Sequence, residues 1–159
     1  MKTTSKQPLQ NELIYWRRTA ASPRPAVMRW IAIAIAVMVG RASALYFMQN
    51  LGEVGTPISW LIPWGVDAFL GLSALIVLYL FRQYRGVYVW GAVLAWHVVG
   101  AVDLVGGAFM AQVDPFVSPI ALPADPEVIV MTLLAIQLAA ITLLLKRNVI
   151  SFMVSSNMP

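Results

Sequence analysis

The chain has 159 residues, 60% of them hydrophobic and only 11% charged, with a net charge of +4 and a mean hydropathy of +0.76. A soluble domain of this length carries about a quarter charged residues, so lipid is the expected solvent for most of the surface, and disorder of the bulk is excluded. Cysteine is absent, which rules out disulfides, thiolate metal sites and cysteine nucleophiles.

Residues 1–25 form a polar lead. Within it Leu9, Leu13 and Trp16 recur at helical spacing beside Arg17 and Arg18, which predicts a short interfacial helix over about 8–19. Ser22-Pro23-Arg24-Pro25 ends it. Four apolar stretches follow, at about 26–48, 58–81, 87–110 and 127–145. Each is long enough, at 1.5 Å per residue, to cross a ~30 Å hydrocarbon core as a helix. Four strands would leave unsatisfied edges in lipid. The first stretch starts too late and runs too long for a cleaved signal peptide, so an uncleaved anchor is expected.

The loop at 111–126 carries Pro115, Pro119, Pro123 and Pro126 among Phe116, Val117, Ile120 and Leu122. A linker would be polar, so this segment is expected to cap the helix ends, with Asp125 as N-cap and Pro126 in the first turn of span four. Pro57 and Pro63 mark the entry to span two, after a short interfacial segment at 57–62. Residues 146–159 read as a tail.

Charge orients the bundle. Lys2, Lys6, Arg17, Arg18, Arg24 and Arg29 precede or begin span one, Arg82 and Arg85 lie between spans two and three, and Lys146 and Arg147 follow span four. The loops at about 49–57 and 111–126 hold no Lys or Arg, only Glu53, Asp114 and Asp125, with Glu127 just beyond. Positive charge belongs on the cytoplasmic side. The expected fold is therefore an all-α polytopic membrane protein, a four-transmembrane-helix bundle with both termini cytoplasmic. Its parts are 1–25, the transmembrane domain 26–145 and the tail 146–159. The basic residues meet anionic headgroups, so nucleic acid is not an expected partner.

Ionisable groups inside a membrane cost about 2.5–3.5 kcal/mol each on insertion scales, so each calls for a role. Arg41 lies roughly 12 Å from the outer end of span one, Asp67 roughly 13 Å into span two and Asp103 roughly 10 Å from the outer end of span three. One arginine and two carboxylates in one outer layer predict a buried ion-pair cluster, held by bidentate pairing. Its formal charge of −1 leaves a spare carboxylate for a proton or cation. Ser73, His97 and Gln137 fall about 12–15 Å from the inner side, near the midplane, and predict a hydrogen-bonded centre in which Gln137 orients the imidazole.

His97 is the only histidine, so a bis-His haem within one chain is excluded. Axial ligation of one tetrapyrrole at His97 is the alternative to no cofactor. Ala32, Ala36, Gly40 and Ala44 repeat every four residues, a row suited to close helix packing. Gly71, Gly100, Gly106 and Gly107 offer further close approach. Trp30, Trp60, Trp64, Trp90, Tyr84 and Tyr88 lie near span ends and read as an interfacial belt rather than a ligand cage. No P-loop, HExxH, GxSxG or dinucleotide fingerprint occurs.

Two segments carry a resemblance. Pro63-Trp64-Gly65-Val66-Asp67, continuing through Gly71 and Ala74, and the run Trp96-His97-Val98-Val99-Gly100-Ala101-Val102-Asp103-Leu104 resemble a pattern in small bacterial four-helix inner-membrane proteins of unknown function. Those proteins carry an Asp early in the second helix and Trp-x-x-x-Gly-x-x-Asp-Leu in the third. The resemblance spans about 58–145, implies a bacterial inner membrane and points to Asp67 and Asp103. The leading functional expectation is a non-enzymatic structural or accessory bundle, partnered by membrane lipids and by itself or other membrane subunits. A small ion- or proton-coupled transport protein using Arg41, Asp67 and Asp103 is the alternative, beside the tetrapyrrole-binding subunit.

Overall fold

The computed structural model describes residues 17–18, 24–53, 56–118, 122 and 124–154. Four helices among them are long and apolar enough to cross a membrane: α1 (Val27–Met48), α2 (Leu61–Gln83, entered through a 3₁₀ turn at Ile58–Trp60), α3 (Val87–Val113) and α4 (Pro126–Leu144). Their outward rows are apolar, as lipid-facing surfaces are. Phe69, Leu72, Ile76 and Tyr79 of α2, and Val98, Val102, Val105 and Phe109 of α3, are all exposed at helical spacing. Four helices of this length and hydropathy suggest a membrane protein.

The helices have two distinct ends. At the terminal end, a two-residue strand β1 (Arg17–Arg18) pairs antiparallel with β2 (Tyr84–Arg85), Arg17 opposite Arg85 and Arg18 opposite Tyr84. Arg24 donates through Nη2 to the carbonyl of Arg82 at the same end. The predicted interfacial helix over 8–19 lies mostly outside the described residues; Arg17 and Arg18, which it included, are strand instead. The backbone groups of the α2–α3 turn are the reason, since they give this segment a partner that a lone interfacial helix lacks. Gly86, at φ +141°, turns the chain from β2 into α3, a conformation open to residues without a Cβ.

Residues 147–154, expected as part of a tail, form a further helix, α5 (Arg147–Val154). It buries Val149 and Met153 against α3 and β2. Phe152 lies beneath the buried Arg85 guanidinium, 5.7 Å from its ring centroid, a cation–π contact. Trp90 ties α3 to the end of α4 through an Nε1–Leu144 carbonyl hydrogen bond of 3.0 Å.

At the loop end, the α1–α2 and α3–α4 connections meet. Trp60 donates through Nε1 to the Asp114 carbonyl at 2.7 Å and Ser59 donates to the Asp114 carboxylate. Phe116, from the connection expected to cap the bundle, packs on Phe47, Trp60 and Trp64. Asp125 and Pro126 occupy the N-cap and first-turn positions of α4, but the Asp125 side chain makes no capping hydrogen bond.

The small-residue row of α1 is a correction. Ala44 is buried and Ala32 half-buried, but Ala36 and Gly40 face outward, and a Cβ added at Gly40 would meet nothing within 4 Å. For Gly40 the cause is a change of winding. Residues Val27–Val37 are α-helical and bury Met28, Ile31 and Ile35, whereas Met38–Ser43 tighten into 3₁₀ geometry. With three residues per turn, positions three apart eclipse, so Met38, Arg41 and Ala44 line one buried face. Gly40 then falls off that buried face.

Close approach occurs elsewhere. A Cβ at Gly71 would fall 2.1 Å from the backbone nitrogen of Ala42, so α2 packs there directly against the main chain of α1. Gly106 and Gly107, expected to serve the same purpose, face open space.

Candidate functional site: a polar-floored cavity at the loop end

Three helices bring Arg41, Asp67 and Asp103 together. The 3₁₀ segment of α1 aims Arg41 inward; its Nε donates to Asp67 Oδ1 on α2, and its Nη2 donates to Asp103 Oδ2 on α3. Nη1 reaches the Gly100 carbonyl at 3.4 Å. The guanidinium is sealed, with 1% of its side chain exposed, while Asp67 and Asp103 keep 27% and 12%. Each carboxylate gives Arg41 one oxygen, and its second oxygen accepts nothing from the described residues. A carboxylate has about four lone-pair directions to satisfy, so both retain unused acceptor capacity.

That exposure leads into a cavity of about 830 Å³. Asp67, Arg41 and Asp103 form its polar floor; Leu104, Gly107 and Ala108 of α3 and Val130, Met131 and Leu133 of α4 form apolar walls. An aromatic wall of Phe47, Trp60, Trp64 and Phe116 closes one side, with ring centroids 4.8–6.2 Å apart around the cluster, within the range of stable aromatic packing. Trp60 and Trp64 are 5% and 4% exposed. This corrects the belt expectation for these two indoles, which are interior walls. Trp30 and Tyr88 are exposed near span ends and Tyr84 and Trp90 half-buried.

Asp125 and Glu127, both exposed, stand on the lining nearest the α3–α4 connection with Gln112.

The midplane residues divide. His97 and Gln137 are wholly buried and paired through Nδ1 and Oε1. With the amide oxygen facing Nδ1, the imidazole donates there. His97 Nε2 and Gln137 Nε2 meet no hydrogen-bond partner among the described residues. Ser73 is not part of this pair. It accepts from Trp96 Nε1 at 2.9 Å and donates to the Leu70 carbonyl at 3.2 Å, because the α3 indole beside His97 takes the hydroxyl first. Trp96 also packs edge-on against the imidazole, 5.0 Å between centroids.

Gly100 joins the two layers. A Cβ there would lie 2.3 Å from Gln137 Nε2 and 3.1 Å from Arg41 Nη1, so a larger residue would displace the ends of these side chains.

The aromatic wall and the cavity were missed in the sequence. A signal for the wall existed in the clustering of Trp60, Trp64 and Phe116 around prolines, but the same residues suit an interface. Compared with protein-family models, curated proteins and solved structures, the chain matches none.

Proposed function

We propose that the chain is a non-enzymatic inner-membrane protein of bacteria, with both termini cytoplasmic, whose cavity opens outward at the loop end and receives a small molecule. The observation that carries this reading is the 830 Å³ cavity floored by Asp67, Arg41 and Asp103. Pockets of ~300–1,000 Å³ with apolar walls and a few convergent polar groups are the usual form of small-molecule sites. The alternation of basic and acidic connections supports the orientation. A non-enzymatic role fits the polar groups, which bind one another instead of pairing a nucleophile with a base. His97 is wholly buried and paired with Gln137, and no ligand is assigned to it. Paired carboxylates that still reach the cavity suit ligand binding, either for storage or as the first step of ion-coupled passage.

The test uses the absence of native cysteine. Gly107 lines the cavity and has open space around a Cβ, whereas Val102 is 67% exposed on the lipid face. With a membrane-impermeant maleimide added outside intact cells, G107C is expected to react and V102C not. An unreactive G107C, in cells where the exposed loop variant E53C reacts, would overturn an outward-open cavity.

A further inference from the structure

We infer that the cavity is built for an amphipathic organic cation, its charged head at Asp67 and Asp103 and its apolar body against the aromatic wall; this rests on the binding role proposed above. Charge is the first reason. Four carboxylates line the cavity among the described residues, Asp67, Asp103, Asp125 and Glu127, against the single guanidinium of Arg41. The formal balance is −3; the apolar surroundings strengthen its inner part, at Asp67 and Asp103, whereas Asp125 and Glu127 are exposed.

The second reason is which polar atoms remain available. Arg41 commits Nε and Nη2 to the aspartates and is 1% exposed, so it offers an anion almost no donor surface. The second oxygens of Asp67 and Asp103 are the unspent polar atoms of the floor, and they are acceptors. They call for a donor or a positive charge. A neutral hydrogen-bonding ligand could supply the first, but only a cation also balances the surplus carboxylates.

The third reason is the wall. Trp60, Trp64, Phe47 and Phe116 line the same space, and aromatic rings, indole above all, attract organic cations. A bare metal ion fits poorly. Among the described residues no three His, Cys, Asp or Glu side chains converge as a ligand set, and most of the lining is apolar. Size agrees as well, because 830 Å³ greatly exceeds one ion and matches a molecule with an apolar body. Asp125 and Glu127 stand on the lining beside the α3–α4 connection, where they would draw a cation inward before it reaches the floor.

The experiment is equilibrium binding of tetraphenylphosphonium to the full-length protein in zwitterionic nanodiscs, beside its isosteric anion tetraphenylborate and protein-free discs. Saturable binding of the cation above protein-free discs, without saturable binding of the anion, is expected. D103N should weaken cation binding by at least about tenfold. E127Q with D125N, on the exposed lining, should weaken it a few-fold, and more at low than at high salt. D103N is scored only where helicity and gel-filtration profile match the unmodified protein, and the exposed pair serves as the second variant if it does not fold.

Equal saturable binding of cation and anion, preference for the anion, or cation binding indifferent to both sets of substitutions would overturn the inference. If neither probe binds while G107C still reacts from outside, the cation inference falls and the outward-open cavity stands. If G107C is inert as well, both fall.

Discussion

Arg41 serves two carboxylates with separate edges of one planar guanidinium, Nε toward Asp67 and Nη2 toward Asp103. A lysine ammonium, a point charge on a flexible stem, does not reproduce that fork. Removing one member of a buried ion cluster is more harmful than never having it, because the remaining charges lose compensation. Replacing Arg41 with Met is therefore expected to destabilise the protein by about 3 kcal/mol, read as loss of helicity in a detergent-unfolding titration. Neutralising the carboxylates as well, in R41M/D67N/D103N, should recover much of the loss. Equal stability of R41M and the unmodified protein would mean that the pairing contributes nothing. The depth of these residues was legible in the sequence, since rise per residue is constant in a helix. The pairing was an expectation from that depth, and Ser73 shows its limit. Common depth did not bring Ser73 to His97, because an indole stood closer.

The helices meet at specific points whose tolerance differs. At Gly71 the neighbour is the backbone of Ala42, which has no rotamer with which to move aside. At Gly100 it is the end of the Gln137 side chain, which can shift at the expense of His97. At Gly107 there is space. Overpacking costs ~1–3 kcal/mol where nothing can yield. The expected order of destabilisation is G71A, then G100A, with G107A close to neutral, measured as midpoints in the same titration. G100A should also move the His97 ring resonances, by displacing its amide partner. An indifferent G71A would show that α1 and α2 do not pack as closely as described. Helix existence was readable from hydropathy, but helix rotation was not. In lipid a span is apolar all round, so the contrast between inner and outer faces that marks a soluble amphipathic helix is missing. Ala36 and Gly40 were assigned inward for that reason; Ala36 is exposed within the regular α-helical part, and the 3₁₀ winding that moves Gly40 off the buried face leaves no compositional mark.

Across the whole molecule, the charged residues outside the Arg41 cluster gather at the two ends. The terminal end holds Arg24, Arg82, Arg85, Lys146 and Arg147, and the loop end holds Glu53, Asp114, Asp125 and Glu127. With the proposed orientation, E53C should react with an impermeant maleimide added to intact cells, and N148C, exposed at the start of α5, only after permeabilisation. The reverse pattern would invert the topology. The docking of α5 beneath β2 makes the terminal end a packed unit, and that unit was invisible in a segment read as a tail. Eight residues give too short a pattern to separate an amphipathic helix from a polar extension.

By itself the sequence determined how many helices are long and apolar enough to span a membrane, and which polar residues lie at comparable depth. Those properties follow from length, hydropathy and a constant rise per residue, each of which is local. Only the tertiary structure decided which face of each helix turns inward, that His97 pairs with Gln137 apart from Ser73, and that two tryptophans read as anchors wall a cavity. Rotation and empty space belong to the gaps between helices, and a gap depends on residues distant in sequence that no local pattern encodes.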